Sequence, residues 1–176
     1  MKKLVYSIIG ALGIMGLLSG CITKPTNATP EEQVVWENKI KNTALLLENT
    51  TYSALVIIHD KNPKEIDKIL KYANLGQVAI KTLLDSGNTS PAALNEALKA
   101  IPVDEFQSVE AQLIVPAVVS AYTLWVGDYT AKWYNSDKNY VAKTLLSGVL
   151  AGVENAYKNL SKVKASGAAY KTLYNQ

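Results

Sequence analysis

From residue 30 onward, apolar residues recur every three or four positions, the spacing of one face of an α-helix. The first run is Trp36, Ile40, Ala44, Leu47, Thr51, Leu55 and Ile58. Thr29-Pro30-Glu31-Glu32 precedes it, with a capping residue, a proline suited to the first turn and two acids at the positive end of the helix dipole. One long helix is predicted, ending near His59 to Lys61, and the weak helix formers Asn49 to Ser53 mark the place for a bend. Asn62-Pro63-Lys64-Glu65 reads as a second start, with Asn62 as cap and Glu65 at the capping-box position. The stripe that follows is Ile66, Ile69, Leu70, Ala73, Gln77, Ile80, Leu83 and Leu84, closed by Gly87 in a left-handed conformation. Ser90-Pro91 opens a shorter helix with Leu94, Ala97, Leu98 and Ile101 on one face, ended by Pro102.

A fourth helix is expected after Asp104 or Ser108, strongly apolar from Leu113 to Val126 and kinked at Pro116. A strand over Leu113–Val119 competes, because valine is frequent there. The helix reading is preferred because the periodic residues continue through Tyr122, Trp125, Tyr129 and Trp133. The apolar stretch is too short to cross a bilayer and reads as a buried core helix. Asn135 to Asn139 reads as a loop. A fifth helix is expected from about Tyr140 to Leu160, with Ala142, Leu145, Leu146, Val149, Val153, Ala156, Tyr157 and Leu160 inward. Gly148, Gly152 and Ala156 repeat every four residues, a spacing that lets another helix approach closely. Beyond Glu154 there are four lysines (158, 162, 164 and 171) and no acids, so residues 163–176 are expected to form a basic, fraying tail. The pattern implies an all-α domain, a compact bundle of four to five helices over residues 30–162.

The amino-terminal stretch follows a different rule. Lys2 and Lys3 precede an apolar run from Leu4 to Leu18, and then comes Leu18-Ser19-Gly20-Cys21. A positive segment, a short apolar segment and small residues are the parts of an export signal. As a helix the apolar run would span about 22 Å, less than the roughly 30 Å of a hydrocarbon core. The tetrapeptide resembles the lipobox of bacterial lipoproteins at all four positions. That resemblance implies a diacylglycerol on the Cys21 thiol, cleavage before Cys21 to remove residues 1–20, and a lipidated tether over residues 21–29. Ile22, where aspartate would favour inner-membrane retention, implies delivery to the periplasmic face of the outer membrane in a host with two membranes. Two or three acyl chains give stable anchoring.

Composition narrows the possibilities further. Without residues 1–20, 156 residues remain, with 16 lysines against 15 acids, so the net charge of +3 falls to +1. Cys21 is the only cysteine, which excludes an intramolecular disulfide. There is no arginine, the preferred reader of guanine edges and bidentate phosphates, which argues against sequence-specific nucleic-acid binding.

Candidate chemistry is sparse. His59, the only histidine, stands beside Asp60 with Glu65 and Asp67 nearby, but the spacing is not that of a metal or acid–base site and fits a helix end. Glu31–Glu32 and Asp104–Glu105 are accounted for by helix starts. No nucleophile has a recognisable partner set, and no metal or cofactor motif occurs. The aromatic stripe Tyr122, Trp125, Tyr129 and Trp133 is the one candidate interaction surface, with core packing as the competing reading.

The expectation is a non-enzymatic, membrane-anchored envelope lipoprotein acting as an interaction or structural module. It would be held in the membrane through acylated Cys21, with another envelope protein or peptidoglycan as partner. A prophage-encoded lipoprotein active in superinfection exclusion or lysis, and a small-ligand carrier with a cavity between helices, are the alternatives.

Overall fold

A computed structural model describes residues 24–61, 63–99, 123 and 136–174. Among the described residues all regular structure is helical: α1 (Pro30–Lys61), a 3-10 turn (Pro63–Glu65), α2 (Ile66–Ser86), α3 (Pro91–Lys99) and α4 (Ser136–Tyr174). Apart from Thr123, the predicted helix with Pro116 and the stretch Leu113–Val126 lie outside the described residues, as do Asn62, Ile101 and Pro102.

Helix α1 begins as its sequence dictates. The Thr29 amide donates to Glu32 Oε2 at 2.8 Å, and the Glu32 amide donates to Thr29 Oγ1 at 3.3 Å. This is a reciprocal capping box that satisfies two helix-end donors at once. The helix then runs unbroken through Asn49 to Ser53. At the start of α2 the arrangement differs from the expected one. Glu65 is itself the cap residue of α2, makes no side-chain cap bond, and closes a 3-10 turn. Pro63 fixes the tight first turn, so Glu65 falls short of the capping-box position. At the other end Gly87 adopts φ 72°, and its amide bonds to the Leu84 carbonyl at 3.3 Å. Only glycine takes this conformation without a steric penalty. Ser90 caps α3 by accepting from the Ala93 amide at 3.1 Å.

Helix α4 is longer at both ends than the sequence suggests. The residues 136–139, expected as loop, form its first turn, where Asp137 meets the positive end of the dipole. It continues through the expected tail to Tyr174, and Lys164 pairs with Asp67 of α2. Tertiary contact at Leu160 and Lys164 anchors the last turns, so the lysines extend a helix already nucleated.

The arrangement of the helices follows from the contacts. Trp36 faces Tyr140, Ala44 faces Gly148 and Glu48 faces Gly152, each pair 104 residues apart in the chain. Helices α1 and α4 are therefore parallel and in register. α2 runs antiparallel to both: its end residues Ile80 and Leu83 join Trp36, Ile40, Ala44, Leu47, Leu145 and Leu146, together with Leu94 and Leu98 of α3, while its first residues Ile69 and Tyr72 join Ile58 and Leu160. The predicted stripe of α1 is buried apart from Leu55, which is half-buried against the smaller cluster. On α2, Ile69, Ala73, Ile80 and Leu83 of the predicted stripe are buried and Ile66, Leu70, Gln77 and Leu84 half-buried, while the buried face also takes in Tyr72 and Gly76.

The closest approach is at the glycines. A Cβ on Gly148 would stand 2.9 Å from the Ala44 carbonyl carbon and 3.0 Å from its Cα, and closer still to the carbonyl oxygen. A Cβ on Gly152 would meet Thr51 Cβ at 2.8 Å and the Glu48 carbonyl oxygen more tightly. Backbone meets backbone here, with glycine Cα hydrogens directed at α1 carbonyls, the geometry of weak C–H···O contacts. Below this seam Asn155 Nδ2 donates to Glu48 Oε1 and Asn159 Nδ2 donates to the Tyr52 hydroxyl, each at 2.8 Å.

Alanine is the better helix former by about 1 kcal/mol, yet Gly148→Ala and Gly152→Ala are expected to destabilise the protein by about 1–3 kcal/mol through overpacking. Gly167→Ala, on the same helix with nothing within 4 Å, is expected to cause no loss and to raise helicity. Chemical denaturation and circular dichroism of the three variants check this. The identical neighbours Leu45, Leu46 and Leu47 are 55, 46 and 1% exposed. Leu47→Ala is expected to cost about 2–5 kcal/mol, and Leu45→Ala and Leu46→Ala about 0.5 kcal/mol or less, measured in the same way.

Candidate functional site

Cys21, which closes the Leu18-Ser19-Gly20-Cys21 tetrapeptide, and the aromatic residues Tyr122, Trp125, Tyr129 and Trp133 lie outside the described residues. The described chain begins three residues beyond Cys21, and its first side chain is not free. Lys24 Nζ lies 3.3 Å from Asp137 Oδ1, in the first turn of α4, and 5.5 Å from the centroid of the Trp36 ring on α1. Trp36 in turn tilts against Tyr140, centroids 5.8 Å apart and planes at 36°. The ammonium thus has a carboxylate on one side and an aromatic face on the other, two partners that reinforce each other where both groups are partly shielded.

The local chain makes this contact possible. Residues 26 and 27 form a turn, and Asn27 sits at φ 59° in the left-handed region, which asparagine tolerates better than most side chains. The turn folds Lys24 back over the bundle before Thr29 starts α1. Two buried polar atoms on this part of the bundle, Trp36 Nε1 and Asn139 Oδ1, have no hydrogen-bond partner. Tyr140 keeps part of its ring exposed, and Val34 and Val35, in the second turn of α1, are exposed at the same end of the bundle.

His59 occupies the opposite end. Its Nδ1 lies 3.3 Å from Asp60 Oδ1, its immediate neighbour. Glu65 is paired with Lys68 at 3.7 Å, and Asp67 with Lys164. Glu65 and Asp67 are thus paired with lysines, although Glu65 Oε2 is buried without a hydrogen-bond partner. Among the described residues no three histidine, cysteine, aspartate or glutamate side chains group to hold a metal ion. No described helix is long and apolar enough to cross a membrane.

One regularity of α1 goes beyond the stripe read from the sequence. Val34-Val35-Trp36, Leu45-Leu46-Leu47 and Val56-Ile57-Ile58 are apolar triplets repeated every 11 residues, three turns of helix. The third member of each is buried. The first two form parallel stripes on either flank of a ridge of exposed Asn38, Asn42 and Asn49. A search for internal spacing at 11 residues, rather than at three and four, would have found them.

Compared with protein-family models, with curated proteins and with solved structures, the chain matches none.

Proposed function

We propose that this protein is a lipid-anchored envelope lipoprotein whose helical bundle works as a non-enzymatic interaction or structural module at the membrane surface. The observation that carries the reading is Leu18-Ser19-Gly20-Cys21 placed directly after a basic and an apolar segment. In this reading the thiol of Cys21 takes up a diacylglycerol, the chain is cut before it, and Ile22 directs the product to the periplasmic face of the outer membrane where the host has one. Acylation uses the only thiol in the chain, so no free cysteine remains for chemistry or crosslinking. Another envelope protein or peptidoglycan is the proposed partner.

Several features are consistent with this assignment. The helices hold together without disulfides, through an apolar core and a backbone-to-backbone seam. The residues that could be suspected of chemistry are paired: His59 with Asp60 and Glu65 with Lys68 locally, and Asp67 with Lys164 of α4.

The test is Cys21→Ser expressed in a lipoprotein-processing bacterium. The wild type is expected to incorporate labelled palmitate and to sediment with membranes. The variant is expected to incorporate none and to move to the soluble fraction, with its helicity unchanged. A variant that keeps both the label and the membrane fraction would overturn the assignment.

A further inference from the structure

We infer that the paired amino-terminal ends of α1 and α4 face the lipid surface, and that Lys24 is the side chain that holds them there. This rests on Cys21 being the lipidated residue. Cys21 and Lys24 are three residues apart, so their Cα atoms lie within about 11 Å of each other even when the chain is extended. Lys24 is fixed to Asp137 at 3.3 Å and over Trp36 at 5.5 Å. One residue belongs to the first turn of α4 and the other to the second turn of α1. Whatever path the three residues take, the lipidated atom stays next to this end of the bundle.

The opposite end is far away. From Trp36 to the end of α1 at Lys61 the helix rises about 38 Å, and the turn Pro63–Glu65 sits beyond it. In the common register Lys61 is level with Ala165, so the last turns of α4, to Tyr174, extend past the tip of α1. The side chains around Lys24 suit the lipid-facing role. Val34, Val35 and Tyr140 are exposed at this end; apolar surface is buried favourably at the headgroup–acyl boundary, and tyrosine is enriched at that level. Without the Lys24 contacts the flexible tether would run from Cys21 to the Thr29 cap, with an extended reach of about 29 Å, enough to let the domain tumble over the surface.

The test uses the full-length lipidated protein in vesicles of phosphatidylethanolamine and phosphatidylglycerol containing a nickel-chelating lipid. Nitroxide labels are placed at Val35→Cys or Lys64→Cys, both exposed positions, with Cys21 blocked as its thioether. Relaxation of each label by headgroup nickel is measured on protein that floats with the vesicles. The expected result is severalfold stronger relaxation at position 35 than at 64. Adding Lys24→Ser is expected to bring that ratio near unity while flotation persists. Equal or reversed rates in floating protein would overturn the orientation and leave the anchor standing. An unchanged ratio in the Lys24→Ser protein would overturn the role of Lys24. Wild-type protein that fails to float would overturn the anchor and the orientation together.

Discussion

The contact of the α4 backbone with the α1 backbone at Gly148 and Gly152 constrains the rest of the structure. Two glycines in a helix interior sacrifice about 2 kcal/mol of helix propensity in total. They return it as an approach in which α4 meets the carbonyls of Ala44 and Glu48 directly. Because no side chain separates the helices, sliding either by one residue would place a β-carbon against a carbonyl. The seam therefore sets register as well as distance. The pairing of Trp36 with Tyr140 above it, and of Tyr52 with Asn159 below it, both follow from that register.

A parallel pair cannot be closed by a short connection, so between the end of α1 and the start of α4 the chain must climb back the length of the bundle once. Helix α2 makes that traverse, antiparallel to both. Its dipole opposes those of the parallel pair, which would otherwise reinforce each other side by side. The core divides accordingly. A large cluster forms where α1, α2, α3 and α4 all contribute, and a small one of Ile58, Ile69, Tyr72 and Leu160 where only three helices meet. The salt bridge from Lys164 to Asp67 lies beside the small cluster, at the end with less apolar burial.

Much of this was legible in the sequence, and the gaps have physical causes. The helical class, the start of α1 at Thr29, the glycine at the end of α2 and most buried residues of α1 and α4 follow from spacing and capping chemistry, although buried Thr43, Ala54 and Val141 fall off the predicted stripes and Tyr157 is half-buried. The small residues of α4 announced a close helix partner, but nothing local in the sequence said that the partner was α1 or that it ran parallel. That is a tertiary choice. The length of α4 was underread because Ser136 to Asn139 are poor helix formers and the lysine-rich end looks solvated. Lys24 with Asp137, and Lys164 with Asp67, are contacts over a hundred and nearly a hundred residues of chain, which no local rule reaches. The same holds for the candidate site. Cys21 is legible as a motif, whereas the docking of Lys24 depends on Asn27 turning the chain back and on Trp36 and Asp137 being brought side by side by the seam.

The flanks of α1 bear on the proposed orientation, in which an end of the bundle rather than its side faces the lipid. A helix that lies flat in a lipid interface needs one wide apolar face. On α1 the outward side carries a ridge of Asn38, Asn42 and Asn49 between two narrow apolar stripes. Laying that side on the bilayer would desolvate the asparagines, each with donors and acceptors to satisfy, before either stripe was buried. The stripes repeat every three turns with a drift of only about 20°, which suits packing along a neighbouring rod better than immersion in lipid. At the end of the bundle Lys24 is paired and Glu32 is engaged with Thr29. Val34 and Val35 are exposed, and Tyr140 packed on Trp36 keeps part of its ring outward, so the polar groups that face outward there are mainly the charged Glu31 and the helix start. A bundle held end-on in this way leaves Val34, Val35, Leu45 and Leu46 on the α1 flanks open to a partner, with Val56 and Ile57 half-buried, so the seam that fixes the register of α1 also fixes the surface it presents.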